Sequence, residues 1–384
     1  MNDNSLHQIF LHYTENIESL TSRHLEYYKW QICEKFPCLM KKALDADKEE
    51  FATALSAVKK CTENLIDSYT QPMAGLVDIA RCNGGEDAMT VQKILKDLYT
   101  DDGGDLRIRM EIISDYFKRC EELLEKHFPG SYRYRQNSHS VSALLFLNDP
   151  DHHYMFKASH CRDFADCVEF YDSWGTGDNI KLDVFHRMCD ELVEAIKNCP
   201  ELLATNASRF DKRLNLPGGP LHPDTEKHIL AFDIIYCCST YDLYKGISYT
   251  KRNMKEKEAY LARKTKAQQL LNDYETAFED YEKLKEAMDV ITKFFVVGDR
   301  VVHSKYGEGI VKAVDGTFLV TEHHEKESRA SLPVMIANGI LSSDKKEYTE
   351  IIEKYLYVLK KRDFIPVNLT CAEQKLAPYA EYLD

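Results

Sequence analysis

Several features that would place a chain in a familiar class are missing from these 384 residues. No apolar run approaches the roughly 18 residues that a membrane-spanning helix needs, so we expect no membrane partner. No two of the 12 cysteines form a C-x-x-C pair, which argues against a zinc ribbon or a thioredoxin-type site. The segment 1–5 lacks the charged-then-apolar layout of a signal peptide, and we therefore expect a reducing, cytoplasmic location.

Positive charge is also in short supply. The chain has 63 acidic residues against 50 basic ones, a formal net charge of −13. A negative surface opposes nonspecific binding to DNA, RNA or anionic lipid, so any nucleic-acid contact must use a local basic patch. The hydrophobic content of 44% supports real cores, and the length predicts two to four domains.

Glycines and β-branched residues alternate near the C-terminus. Three glycines punctuate residues 296–311, and the apolar run 318–321 follows after Asp315-Gly316. Asp-Gly between apolar strands is a strong hairpin signal, because the central residues of a type I′ turn need positive φ. The pattern predicts a small, curled β-barrel over residues 295–341.

The rest of the sequence favours helices. Apolar residues spaced by three and four define one face of a helix near the N-terminus, namely Leu6, Ile9, Phe10, Tyr13, Ile17 and Leu20. Similar patterns continue to about residue 128, and Pro129-Gly130 ends them. Residues 1–130 are therefore predicted to form a helical bundle.

The pattern changes after residue 130. The apolar run 141–147 and the segment 153–157 are typical of strands separated by a turn at 148–151, and helices are predicted from Ser159 and over about 183–198. The buried run 228–238 is too short to distinguish a strand from a helix, and 214–220 is predicted as a loop. We predict one α+β domain over 131–245, within a fold that is mainly α with a smaller α+β part.

A long helix is predicted over 246–294. Residues spaced by seven form a heptad seam, namely Ala267, Leu270, Tyr274, Ala277, Tyr281, Leu284, Met288 and Ile291. Such a seam can pair two copies of the chain, so a homodimer through 267–291 is one expectation. The barrel follows, and residues 342–384 are predicted as one helix, 346–361, and a tail.

One segment resembles a known family. Residues 298–311 match the pattern G-D-x-V-x-H-x-x-[FY]-G-x-G-x-V of the Tudor-like barrel that ends UvrD/PcrA-type DNA helicases. The resemblance implies a docking module for RNA polymerase or nucleic acid, with His303, Tyr306 and Phe318 on its rim. Residues 328–331 depart from the pattern because they lack the expected aromatic residue. The helicase is not implied, since the chain has no G-x-x-x-x-G-K-[ST] phosphate loop.

A second resemblance covers residues 142–157 and the helix predicted from Ser159. A strand, a proline turn and an aromatic-lysine strand are similar to segments that precede the ATPase in McrB-like, restriction-associated prokaryotic proteins. The resemblance implies a domain that reads DNA or recruits an effector, such as a restriction-type ATPase.

Two segments are candidates for nucleic-acid contact. In Tyr132-Arg133-Tyr134-Arg135, a strand would place both tyrosines on one face and both arginines on the other, as in surfaces that stack on single strands. An edge strand with its tyrosines in the core has the same pattern.

The second candidate, residues 251–266, has seven basic and two acidic residues. A solvated helix face is the alternative interpretation there. The candidate nucleic-acid ligands are Lys251, Arg252, Lys255, Arg263, Lys264, Lys266, Arg133 and Arg135.

Two clusters contain side chains that can bind metals. Residues 149–160 carry Asp149, Asp151, His152, His153 and His160, which a metal-dependent nuclease could use with Lys157. The E-x-K spacing of restriction-type nucleases is missing, and Asp-Pro-Asp is an ordinary turn. The segment 323–326 is predicted as a solvated loop. We therefore predict no catalytic residue, no metal and no cofactor.

The leading hypothesis is a non-enzymatic interaction protein that docks a protein or nucleic-acid partner in a DNA- or transcription-linked process, such as prokaryotic defence. The alternatives are a hydrolase that uses the 149–160 cluster and a homodimeric scaffold.

Overall fold

A computed structural model describes residues 1–24, 26–62, 65–67, 70–177, 179–210, 218–324 and 326–383. The chain divides into two compact units, residues 1–253 (unit 1) and residues 254–384 (unit 2). In outline the fold is mainly α with a smaller β part, as predicted. No helix among the described residues combines the length and the apolar character that crossing a bilayer requires.

The described residues of unit 1 form helices, one short hairpin and the segments that connect them. Its helices are α1 (Asp3–His24), α2 (Tyr28–Asp45), α3 (Lys48–Thr62), α4 (Pro72–Arg81), α5 (Ala88–Leu98), α6 (Leu106–His127), α7 (Ser138–Asn148), α8 (Ala158–Cys167), α9 (Leu182–Lys197), α10 (Pro200–Ala207) and α11 (His228–Thr240). The hairpin pairs β1 (Gly175–Thr176) with β2 (Asn179–Ile180), and Cys82–Gly85 and Ser208–Phe210 are short 3-10 helices.

The strands predicted at 141–147 and 153–157 are wrong. Residues 141–147 lie inside α7, which starts with a capping box between Asn137 and Ser140. Nearly every residue of α7 is buried, and a helix buried on all sides shows no 3.6-residue period that distinguishes it from a strand. Residues 153–157 form no strand, and the ambiguous run 228–238 is helix α11.

One continuous core fills unit 1. Its buried side chains extend from Leu6 in α1 to Ile247 near the end of the unit. The predicted boundary at residue 130 therefore lies within a region that shares one core. Of the loop predicted at 214–220, residues 214–217 lie outside the described residues.

In unit 2, one long helix precedes the strands of a sheet in the sequence, and two shorter helices follow them. Its helices are α12 (Met254–Phe294), α13 (Leu332–Ala337), α14 (Lys346–Lys360) and α15 (Ile365–Leu376), and a 3-10 helix spans Ala377–Tyr382. Its strands are β3 (Arg300–His303), β4 (Gly307–Asp315), β5 (Phe318–His323), β6 (Lys326–Ser331) and β7 (Leu341–Ser342). The predicted tail therefore forms a helix, and Pro366 in its first turn suits a helix start.

The sheet is antiparallel in the order β6-β5-β4-β3-β7. It is a curled half-barrel with β6 and β7 as its two edges, so the predicted small, curled barrel is confirmed in part. The hairpin between β4 and β5 was predicted correctly, but Asp315 pairs with Phe318. The two loop residues are therefore Gly316 and Thr317, and Gly316 supplies the positive φ of 56°.

The heptad seam of α12 is used inside unit 2. This helix packs along α14 and α15, and Leu284, Ala287 and Ile291 share a core with Val358 and Leu359. The apolar stripe that could pair two copies thus has partners within one copy.

Candidate functional site

Three aromatic rings meet at one end of the sheet in unit 2. The ring centroids of His303 and Tyr306 are 4.6 Å apart, and His323 lies 5.4 Å from His303 and 5.9 Å from Tyr306. His303 is 8% exposed and His323 2%, whereas Tyr306 is half-buried. Tyr306 is therefore the ring in this cluster that offers most surface to a partner.

Hydrogen bonds to the backbone hold both imidazoles. His323 lies within 3.2 Å of the Gly307 carbonyl through Nδ1 and within 2.8 Å of Thr321 Oγ1 through Nε2. His303 Nδ1 accepts a hydrogen bond from the Lys305 amide at 3.1 Å. Burial, together with the neighbouring His323 and Lys305, lowers the pKa of His303, so this ring is neutral at pH 7.

The three predicted docking residues do not form one surface. His303 and Tyr306 lie together, but Phe318 starts β5 whereas His323 ends it, a distance of about 16 Å along the strand. Phe318 is 43% exposed and lies under the Arg329 guanidinium, 5.3 Å from the ring centroid.

Sequence reasoning missed His323. It had been predicted in a solvated loop, yet it is the last residue of β5 and is buried, while Glu325 of that loop lies outside the described residues. The signal was present, because Leu319, Thr321 and His323 alternate as one face of a strand. His323 supplies the third ring of a cluster to which β6 contributes no aromatic side chain.

The basic residues of segment 251–266 differ in whether their side chains already have hydrogen-bond or ion-pair partners. In unit 1, Arg252 donates to Glu169 at 2.9 Å and contacts the Tyr171 hydroxyl, and Lys251 lies 3.9 Å from Asp163. In unit 2, Arg263 donates to the Tyr382 hydroxyl at 2.7 Å. Lys264 is half-buried and interacts with neighbours.

Lys255 and Lys266 are exposed and have no ion-pair partner within the described residues. Eleven residues are about three turns of helix, so both point to one face about 16 Å apart. Ala259 and Ala262 lie between them on that face and are exposed. Two cations separated by small side chains leave room for an extended polyanion.

The segment 132–135 is not a strand but a turn. Its side chains therefore do not alternate between two faces. Tyr134 donates to Asp78 at 2.8 Å, and Arg133 donates twice to the Gln71 side chain, at 3.0 and 2.7 Å. Arg135 lies 3.7 Å from Glu121. The side chains of Arg133, Tyr134 and Arg135 thus join the turn to neighbouring segments, and Arg135 also lies at the edge of the cavity described below.

The side chains of 149–160 point to different places. Asp149 bonds His152 at 2.9 Å, whereas His160 stacks on Tyr236 with ring centroids 5.3 Å apart. The Lys157 ammonium lies over the same Tyr236 ring, 4.6 Å from its centroid. Within the described residues, this cluster does not bring three metal-binding groups together.

A different set has metal-like spacing. Ligand atoms of Glu26, Asp233 and Cys237 lie within 4.8 Å of one another, all buried. The Lys29 ammonium bonds to both carboxylates, and Arg209 donates to Asp233 at 3.2 Å. Burial, with the Asp233 carboxylate nearby, raises the pKa of the Cys237 thiol. Lys29 therefore provides the positive charge that a metal would supply, and the set is a buried ion network.

Unit 1 also contains a cavity of about 660 Å³ that sequence reasoning did not anticipate. It lies between α6, α7, the segment 153–156, β2 and the start of α9. Arg135, His153 and His186 line it, and these residues are far apart in the sequence. Their proximity depends on the packing of separate helices, so no local pattern could have indicated it.

Comparison with known proteins identifies no matching family, no matching curated protein and no matching solved structure. The resemblances to Tudor-like barrels and to McrB-like segments stay predictions.

Proposed function

We propose that this chain is a non-enzymatic binding protein in a DNA-linked process, with DNA bound along the first turns of α12. The observation that carries the proposal is the separation of charge along this helix. Residues 255–266 have five basic and two acidic residues, whereas residues 273–289 have two basic and seven acidic ones. A polyanion is attracted to the first segment and repelled by the second.

Lys255 and Lys266 are the phosphate ligands in this proposal. They share one face of α12, are exposed, and have no ion-pair partner within the described residues. Arg263 and Lys264 lie nearby, but Arg263 already donates to Tyr382 and Lys264 has an interaction of its own, so a loss of binding after their substitution would be ambiguous.

The test measures salt-dependent binding of fluorescein-labelled DNA by fluorescence anisotropy. Wild-type protein is compared with the double variant Lys255→Glu, Lys266→Glu, on a single-stranded 20-mer and its duplex. Loss of two contacts should reduce the slope of log K against log salt by about 1.4 to 1.8. The matched control is Lys283→Glu, Lys360→Glu, two exposed lysines elsewhere in unit 2.

The control variant should bind DNA as wild-type protein does. Equal slopes for wild-type protein and the Lys255, Lys266 variant would reject the assignment to α12. Absence of wild-type binding at 50 mM salt would reject DNA binding altogether, since electrostatic attraction is strongest at low salt.

The proposal assigns a protein contact to the sheet, with bacterial RNA polymerase as the partner that the resemblance implies. Tyr306 is the docking residue, because tyrosine is common among residues that dominate interface energies and this one is partly accessible. The test is biosensor binding of purified RNA polymerase to wild-type protein and to Tyr306→Ala. Tyr357→Ala, at an exposed tyrosine of α14, is the control.

A specific contact predicts at least tenfold weaker binding for Tyr306→Ala and no change for the control. Phe318→Ala tests the other end of the sheet. Unchanged binding of RNA polymerase by this variant would restrict the contact to the end where His303 lies. Equal binding by Tyr306→Ala and wild-type protein, or no binding by either, would overturn this part of the proposal.

A further inference from the structure

Most polar side chains in the cavity of unit 1 already have partners. Arg109 donates to Asp102 at 2.5 Å and to the carbonyls of Leu98 and Thr100 at 2.7 and 3.0 Å. Tyr154 donates to Asp190 at 2.7 Å. These hydrogen bonds join groups of the protein to one another. They stabilise the walls of the cavity, and they leave Arg109 and Tyr154 little capacity to bind a ligand.

Gln136 and Ser142 are committed in the same way. Gln136 accepts from the Tyr116 hydroxyl at 3.0 Å and donates to the Pro72 carbonyl at 3.1 Å. Ser142 accepts from the Phe156 amide at 2.9 Å. These bonds hold the wall that α7 contributes.

Two histidines inside the cavity have no such partner. The rings of His153 and His186 line the cavity, and neither makes a hydrogen bond within the described residues. Burial, with Arg109 nearby, lowers the pKa of His153 to about 4, and burial also lowers the pKa of His186. Both rings are therefore neutral at pH 7, and each can offer one N–H donor and one nitrogen acceptor.

The walls around these two rings are apolar and partly aromatic. Phe156 and Phe185 meet edge to face with centroids 5.1 Å apart, and Phe117, Val141 and Leu145 are also part of the lining. Aromatic walls favour a flat ring, because ring faces and edges attract each other. A volume of about 660 Å³ lies in the usual range for small-molecule sites.

The edge of the cavity is positively charged. Lys118 on α6 and Lys181 before α9 both line it, are exposed, and have no ion pair within the described residues. Arg135 adds a third cation and Glu121 one anion. In a chain with a net charge of −13, an excess of cations at one cavity favours an anionic ligand.

We propose that this cavity binds a nucleotide, with the heteroaromatic base against the wall that contains the phenylalanines and the phosphate at Lys118 and Lys181. The edge of a base carries the donors and acceptors that His153 and His186 can satisfy. A fatty acid chain would leave both imidazoles without a polar partner. The site lies in unit 1 and is independent of the DNA contact proposed for α12.

The test is isothermal titration of the full chain with AMP, GMP, CMP and UMP, and with the four nucleosides. At least one nucleotide should bind, and its nucleoside should bind at least tenfold more weakly, because it lacks the phosphate. A parallel titration with a single-stranded tetranucleotide shows whether the base is taken from a free nucleotide or from a strand.

Matched variants test the residues. His153→Phe keeps an aromatic ring but removes the N–H donor and the nitrogen acceptor that would bind the base. This variant should bind nucleotide about tenfold more weakly. His152→Phe alters the exposed neighbour and should have no effect. The exposed pair Lys118→Gln, Lys181→Gln tests the phosphate contacts without disturbing the core, with Lys41→Gln, Lys48→Gln as its control.

The Lys255, Lys266 variant should bind nucleotide as wild-type protein does, so the two proposals can fail separately. The inference would be overturned if neither a nucleotide nor the tetranucleotide bound at ligand concentrations up to 1 mM, because a specific site should bind well below that concentration. Equal affinities for nucleotide and nucleoside, or equal affinities of wild-type protein and the Lys118, Lys181 variant, would also overturn it.

Discussion

His323 on β5 packs directly against Gly309 on β4. A Cβ atom built on residue 309 would lie 2.2 Å from Nδ1 of the imidazole and 2.7 Å from the Glu322 carbonyl oxygen. Both distances are far inside van der Waals contact, and one neighbour is backbone. Gly309, the second glycine of the G-x-G pattern, is therefore required because a side chain at this position would clash with the His323 ring.

Gly309→Ala should destabilise unit 2 by about 1–3 kcal/mol, the usual cost of overpacking. Hydrogen exchange of the β4 and β5 amides in increasing urea measures this free energy. His323→Ala in the same chain makes room near the ring and should recover part of the loss. Wild-type exchange in Gly309→Ala would contradict the contact.

Lys29 neutralises two buried carboxylates in unit 1. Removing one partner of a buried ion pair leaves an uncompensated charge, so Lys29→Met should lower the free energy of unfolding by about 3–5 kcal/mol. Urea unfolding measured by circular dichroism gives this value. Lys41→Met, at an exposed lysine of the same helix, should change stability by less than about 0.5 kcal/mol. Similar stabilities for the two variants would show that Arg209 suffices for Asp233.

The pH dependence of stability should reveal Asp87. Hydrogen bonds from Lys126 at 2.6 Å and from His127 lower the pKa of Asp87. A carboxylate with a lowered pKa in the folded state stabilises the fold above its unfolded pKa, near 3.9, and loses this effect as the pH falls through the folded pKa.

Asp87→Asn should therefore be less stable than wild-type protein at pH 5 to 7, and this difference should shrink below pH 4. Urea unfolding at pH 7, 5 and 3.5 measures it, with the exposed neighbour Glu86→Gln as control. A difference that stays constant over this pH range would show that Asp87 contributes by packing and not by charge.

Ile291 tests how the heptad seam is used. It is fully buried in the core that α12 shares with α14, so Ile291→Ala should cost about 2–5 kcal/mol. Because this core lies within one copy, the urea midpoint should not change with protein concentration. Phe278→Ala, which alters a side chain of α12 that is 43% exposed, should have little effect. A midpoint that rises with concentration would support the homodimer.

Long periodic segments were predictable from the sequence. The apolar face of α1 was identified from spacing, and all six of its residues are buried, from Leu6 to Leu20. Glycine positions and an Asp-Gly turn located the sheet of unit 2 to within a few residues. In both cases the information is local, since a 3.6-residue period or a positive φ is a property of neighbouring residues.

Local sequence patterns could not distinguish a helix from a strand in a fully buried segment. They also could not show which residues far apart in the sequence come into contact. Residues 141–147 have the composition of a strand, yet they form a helix, because burial on every side leaves no contrast between faces. His153 and His186 became neighbours only through the packing of α9 against the rest of unit 1. Composition and periodicity thus determined the helices that have one apolar face, and where the sheet begins. The tertiary structure alone decided which side chains meet, because contacts between residues far apart in sequence depend on how helices pack.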